Sequence, residues 1–284
     1  MALNVNATIA VPSGGGLFQG HFPGQPILPG VAQLVMILDA MILDGVTPQV
    51  QGSSQLRAIA HMRMRQLVLP GDQLELATRE LDGGRVRFDL KRAADMRRAA
   101  AVVANGELVF GRLDAPVSTP ESFPIDEAQR PRIFAPPLDA LIPHRPPMRF
   151  VTTLLDETPD GLLCEARIPA ACALVRDDGV PALVALEAAA QSAAAWEALQ
   201  RSREGGIAAS RVGYLVALRD VTLFADRIAA DQPLLCFARQ ESVALPLSYY
   251  TVTVSSKDGL ILRGTIVTFL TDPAAAEKSK GASG

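Results

Sequence analysis

The feature that most constrains this chain is a stiff loop feeding an apolar run near its start: Phe18-Gln19-Gly20-His21-Phe22-Pro23-Gly24-Gln25-Pro26-Ile27-Leu28-Pro29-Gly30-Val31, then apolar residues to Leu43. Prolines 23, 26 and 29 fix φ, and glycines 20, 24 and 30 permit close backbone approach, the combination that holds a loop rigid against a ligand. From Pro29 to Asp44 the apolar positions are almost continuous, with Pro and Gly tolerated in the first turn and Gly45 at the end. This pattern predicts a helix buried nearly all round, which other elements must wrap. Pro29, Asp39 and Asp44 interrupt the run from Ile27 to Val46, which suits a buried helix and not a membrane span.

The wrapping elements follow. Val5 to Val11 reads as a short strand, ended by Pro12-Ser13-Gly14-Gly15-Gly16. After Pro48 come Gln55–Met64, the turn Pro70-Gly71-Asp72, Gln73–Leu81, the hairpin signal Asp82-Gly83-Gly84, Arg85–Lys91 and Ala99–Phe110. These are alternating segments of strand type. Four or five antiparallel strands around one buried helix make a hotdog arrangement, with one sheet face on the helix and the other in water.

The second half replays the first: strands at Leu162–Ile168, Leu215–Phe224, Leu234–Glu241, Tyr249–Ser255 and Leu260–Leu270, and a helix over Pro181–Leu199. Its turn Ala230-Asp231-Gln232 resembles Gly71-Asp72-Gln73. Pro181 minus Pro29 is 152, and Asp231 minus Asp72 is 159, so the halves stay in step with roughly one short insertion. The expected fold is α+β, a double hotdog, with a first domain over 1–113, a Pro-rich linker over 114–137, a second domain over 138–272 and a mobile tail over 273–284.

A formal charge of -3 argues against nucleic acid as the main partner. Cys164, Cys172 and Cys236 lack metal-ligand spacing and read as reduced core residues, and the start of the chain lacks a signal-peptide pattern, so a cytoplasmic protein is expected.

FQGHFPGQPILPGV resembles the active-site loop of the hotdog 3-hydroxyacyl-[acyl-carrier-protein] dehydratases, and RMRQLVLPGDQLEL (63–76) resembles that family's following strand and turn. In the family an acid stands fourteen residues after the histidine; here 21 plus 14 is Val35. The second half holds the complement. Pro143-His144-Arg145 resembles the family's amino-terminal PHR segment, and Leu186-Glu187-Ala188-Ala189-Ala190-Gln191 its acid-bearing helix. With the offset of 152, Glu187 falls opposite Val35, and Ala173 opposite His21. In this family two hotdog domains pack side by side and share sites, so the resemblance implies one composite site, His21 with Glu187, and one dead site. It further implies that the Gly30 N–H binds the thioester carbonyl and that Gln191, grouped with Gly30 as a substrate-binding residue, orients the carboxylate. The halves also look like the two dehydratase subunits of aryl-polyene pigment clusters, fused.

The implied activity is a hydro-lyase forming trans-2-enoyl thioesters, in fatty-acid or polyketide-type synthesis, with no metal or redox cofactor and the substrate carried on the phosphopantetheine of an acyl carrier protein. Imidazole suits removal of an α-proton near neutral pH, and a carboxyl in the apolar helix is expected to have a raised pKa and to protonate the leaving hydroxyl. Plainer readings stand beside these: His21 bonded only to backbone, Glu187 reaching solvent, and Asp39 as a displaced acid. His144, between prolines, is expected to be structural, and His61, in a strand, to be a cross-strand or surface residue. Arg63, Arg65, Arg92, Arg97, Arg98 and Arg211 are expected to form a solvated rim that could meet an acidic carrier protein. The alanines at 188–190 and 193–195 either pack closely or leave width for an acyl chain. The rival functions are a hotdog enoyl-thioester hydratase or thioesterase, and a non-catalytic carrier-binding scaffold. Further self-association of the pseudo-dimeric chain is left open.

Overall fold

The computed structural model of the protein describes residues 4–50, 52–96, 98–114, 136–203 and 213–270. The expected linker and tail, and the side chains of Arg97 and Arg211, fall wholly or mostly outside these. In the first half the apolar run forms α1 (Gly30–Leu43) and the alternating segments form β1 (Asn4–Ala10), β2 (Gln55–Met64), β3 (Gln73–Glu80), β4 (Arg85–Arg92) and β5 (Ala101–Gly111). Gly45 ends α1 at φ +66°, and its N–H donates to Ile42 O (3.1 Å) while Val46 N–H donates to Met41 O (2.9 Å). These bonds satisfy carbonyls that the last turn would otherwise leave open. Val31, Leu34, Ile37 and Met41 are wholly buried, and each such side chain stabilises the fold by about 1.5–3 kcal/mol. All-round burial does not extend to the last turn: Ile42 and Leu43 are 62% and 85% exposed.

The second half contains α2 (Leu138–Leu141), β6 (Val151–Thr158), β7 (Gly161–Ala166), β8 (Val180–Pro181), α3 (Ala185–Arg203), β9 (Gly213–Leu223), β10 (Arg227–Ile228), β11 (Leu234–Ala244), β12 (Leu247–Ser256) and β13 (Gly259–Leu270). The two halves form one antiparallel sheet, ordered β1-β3-β4-β5-β2-β9-β13-β12-β11-β7-β6, with a separate β8–β10 pair. Read outward from the central β2–β9 junction, β5-β4-β3-β1 mirrors β13-β12-β11-β7. The repeat is therefore topological as well as sequential. β6 is an additional edge strand with no counterpart in the first half. It follows directly on the Pro143-His144-Arg145 segment, which only the second half possesses.

At the junction Ile59 pairs with Val221, His61 with Arg219 and Met62 with Leu218. A bulge in each strand, between Ile59 and His61 in β2 and at Asp220 (φ +50°) in β9, lets Ile59, Met62, Leu218 and Val221 all face inside, wholly buried, while His61 and Arg219 face water. Because β2 and β9 run antiparallel, the end of β2 meets the start of β9 at one edge of the junction, and the start of β2 meets the end of β9 at the other. Those two edges hold two cavities. The expectation that the arginines form a solvated rim needs correction at two positions: Arg92 is 5% exposed, donating to Ala99 O (2.7 Å) and Gln66 Oε1 (3.3 Å), and Arg98 is half-buried in an ion pair with the buried Asp72.

Candidate active site

The larger cavity, about 360 Å³, lies where β2 ends and β9 begins, and is lined by residues of both halves, including His21, Gly30, Met64, Arg65, His144, Glu187 and Tyr214. His21 comes from the loop between β1 and α1. Gly20, just before it, has φ +85°, and its O accepts a hydrogen bond from Arg145 N–H at 3.0 Å. A Cβ there would stand 2.0 Å from Arg145 O, so only glycine fits. The loop of the first half is thus seated by main chain on the segment carrying His144.

His21 Nδ1 lies 2.9 Å from Ile27 O. A carbonyl only accepts, so this bond places the proton on Nδ1 and leaves Nε2 with its lone pair. Burial lowers the His21 pKa below its ordinary 6.5, and the neighbouring His144 adds to the lowering; the Glu187 carboxylate and the bond to Ile27 oppose it without reversing it. The imidazole is neutral at neutral pH, as a base must be.

Glu187 stands in the first turn of α3, 4% exposed. Its Oε1 accepts from Gln191 Nε2 (3.1 Å) and lies 3.1 Å from His144 Nε2. Both partners converge on Oε1, so Oε2 is the oxygen left for a substrate. The expected raised pKa is corrected. Burial does push it up, but the hydrogen bond and charge of His144, the charge of His21 and the hydrogen bond of Gln191 together outweigh that and lower it to about 2. Glu187 is a carboxylate in the resting site because its apolar helix faces two imidazoles, which helix composition alone did not reveal.

His21, His144 and Glu187 each offer a ligand atom within 4.8 Å of the others, which is one-water reach. Among the described residues this trio is the one group spaced to hold a metal ion. His144 bonds to Glu187 and His21 to the Ile27 carbonyl, an arrangement suited to moving protons between an imidazole and a carboxylate.

His144, expected to be structural, is the residue that the sequence reading misplaced. It is 5% exposed, its ring centroid is 5.3 Å from that of His21, and it touches the carboxylate. The available signal was its place in the PHR segment. Gln191 is wholly buried and stands behind Glu187 instead of lining the cavity: Nε2 donates to Met148 O (2.7 Å) and Oε1 accepts from Phe150 N–H (2.8 Å) and Val151 N–H (3.3 Å). Its grouping with the substrate-binding residues is therefore corrected, while the orienting contact with the carboxylate is present. Gly30 opens α1 at the cavity wall. Gln33 N–H donates to Pro29 O as the first helical bond, so the N–H groups before it have no intrahelical acceptor. His61 is exposed, as expected.

The second cavity, about 220 Å³, lies at the other edge of the junction and is lined by Val35, Leu38, Asp39, Ile42, Arg176 and Leu183 among others. Asp39 pairs there with Arg176, in the cavity that lacks His21, and so is not a displaced acid for His21.

A large antiparallel sheet in two helix-bearing halves, with a histidine and a carboxylate meeting across their junction, defines a double-hotdog dehydratase. An ApeP-like model (ApeP dehydratase) matches residues 136–279, and an ApeI-like model (ApeI dehydratase) matches residues 2–105. The chain belongs to the ApeP-like dehydratase family, with an ApeI-like dehydratase domain fused ahead of the ApeP-like one, and is a hydro-lyase of 3-hydroxyacyl thioesters. Three solved structures share the fold. They are a trans-AT PKS dehydratase domain from Brevibacillus brevis (14% identity, 95% of this chain and 94% of that one, TM-score 0.70), the dehydratase domain of the polyketide PpsC from Mycobacterium tuberculosis (14%, 94% and 93%, 0.66) and the dehydratase domain of RzxB from Pseudomonas fluorescens (16%, 94% and 94%, 0.65). No helix among the described residues is long and apolar enough to cross a membrane.

Proposed function

We propose that His21 and Glu187 form a single composite site that eliminates water from a 3-hydroxyacyl group carried by an acyl carrier protein. The observation that carries this reading is the meeting of a neutral imidazole from one half with a carboxylate from the other, within 4.8 Å in a shared cavity. His21 Nε2 takes the α-proton, the C2–H electron pair becomes the C2=C3 bond, and the C3–O bond breaks. Because Glu187 rests ionised, the proton that reaches the departing hydroxide is the one taken from C2, passed from the His21 imidazolium through Glu187 Oε2. The products are a trans-2-enoyl thioester and water. The Gly30 N–H, at the positive end of α1, holds the thioester oxygen as enolate character develops. His144 and Gln191 position the carboxylate. The chemistry moves protons only, so it requires no redox cofactor, and the trio serves here as acid and base without a metal.

An acidic carrier is supported by the exposed arginines Arg63 and Arg65, the latter at the cavity wall. The three buried free thiols fit a reducing, cytoplasmic setting. The test follows enoyl formation from a 3-hydroxyacyl-carrier protein. Glu187→Gln should lose turnover while Asp39→Asn keeps it; the reverse pattern would move the acid into the first half and sink the composite site.

A further inference from the structure

The two cavities lie at repeat-related edges of the junction, so wall residues of one can be compared with their counterparts in the other. Along α3 the larger cavity is lined by Glu187, Ala190, Ala194 and Glu197, which share one face at helical spacing. Subtracting 152 from the first three gives Val35, Leu38 and Ile42, and all of these line the smaller cavity. Where the smaller cavity has Leu and Ile, the larger has two methyl groups. The volumes follow, about 360 Å³ against about 220 Å³. The structure also separates the alanines of α3 into two kinds. Ala188, Ala189, Ala193 and Ala195 are wholly buried in packing, whereas Ala190 and Ala194 are only half-buried and open onto the cavity. Close helix packing accounts for the first four and does not account for the other two.

We propose that Ala190 and Ala194 set the acyl-chain specificity of this enzyme, their small side chains forming the floor on which the chain lies beyond C3. This rests on the composite-site reading, since Glu187 fixes where C3 sits and the floor runs from it along the same helix face. A longer apolar chain gains burial against these positions; a side chain the size of Leu or Ile would narrow that space.

The experiment compares kcat/KM for 3-hydroxybutyryl, 3-hydroxyhexanoyl, 3-hydroxyoctanoyl and 3-hydroxydecanoyl pantetheine thioesters in the wild type, Ala190→Leu, Ala194→Ile and the milder Ala194→Val, with a melting curve for each. A filled hydrophobic pocket discriminates by about tenfold or more per excess methylene. The ratio of decanoyl to butyryl rates should therefore fall at least about tenfold in Ala190→Leu and Ala194→Ile, with Ala194→Val between them and the wild type. A ratio that stays constant in Ala194→Val and in every variant that melts as the wild type does, even with all rates reduced together, overturns the proposal while leaving the composite site standing. A wild type that turns over none of the thioesters would remove the composite-site reading, and the floor with it.

Discussion

The two edges of the β2–β9 junction share one plan and carry different residues. At one, a histidine loop seated by Gly20, a carboxylate on α3 and a second histidine surround a cavity wide enough for a substrate. At the other, Val35 takes the acid's place, Ala173 falls at the histidine's position in the repeat, and the polar pair is Asp39 with Arg176, an ion pair that bridges the halves. The duplicated scaffold thus keeps its strand order at both edges, while the histidine and the carboxylate meet at one. A fused chain needs only one complementary set.

This asymmetry can be broken from either side. The largest effect is expected for His21→Ala, which removes the base without touching the other edge: kcat should fall about 10⁴-fold, measured as enoyl formation, with the melting temperature retained. Loss of less than about tenfold would place the base elsewhere. Next is the attempt to restore symmetry by Val35→Glu. Val35 is 5% exposed, and with alanine at the counterpart of His21 the new carboxylate would be buried without the imidazoles that lower the Glu187 pKa. Chemical denaturation should show a loss of about 3 kcal/mol and no second active site. Gly20→Ala should cost about 2 kcal/mol, because a Cβ would meet Arg145 O at φ +85°. It should reduce kcat/KM more than a distant substitution of equal stability cost.

The smallest effects are on pH. The folded pKa of His21 lies below 6.5, so just below that pH the unfolded chain binds the extra proton; this contribution to stability is present above pH 6.5 and is lost as pH falls through the folded value. The acid limb of kcat/KM should accordingly sit below pH 6.5. Since the charge of Glu187 raises the His21 pKa and His144 lowers it, any residual activity of Glu187→Gln should show a limb shifted further down, and His144→Phe one shifted up. The Glu187 contribution to stability, present above pH 4.5, should disappear as pH falls towards about 2.

Much of this arrangement was legible in the residues. The apolar run and alternating segments located α1 and β2 to β5 within a residue or two, and the offset of 152 brought Glu187 to the helix face that meets His21. β6 went unread because Val151-Thr152-Thr153-Leu154-Leu155 does not alternate cleanly: it is an edge strand following directly from the PHR segment. The role of His144 and the ionisation of Glu187 were hidden for one shared reason. Each depends on a neighbour distant in sequence, 43 residues for the pair (187 minus 144), and on the desolvation that only packing creates. Local composition described the helix around Glu187 but could not supply its counter-charges.

The main-chain bond from Arg145 to Gly20 O ties the shape of the base loop to the presence of the other half. In a chain whose halves have folded but not yet docked, the histidine has its backbone partner in Ile27 but lacks the surface its loop rests on. On the proposed composite site, assembly and competence become one event: an undocked half would lack its partner for the elimination, and turnover would itself report that the two halves have met.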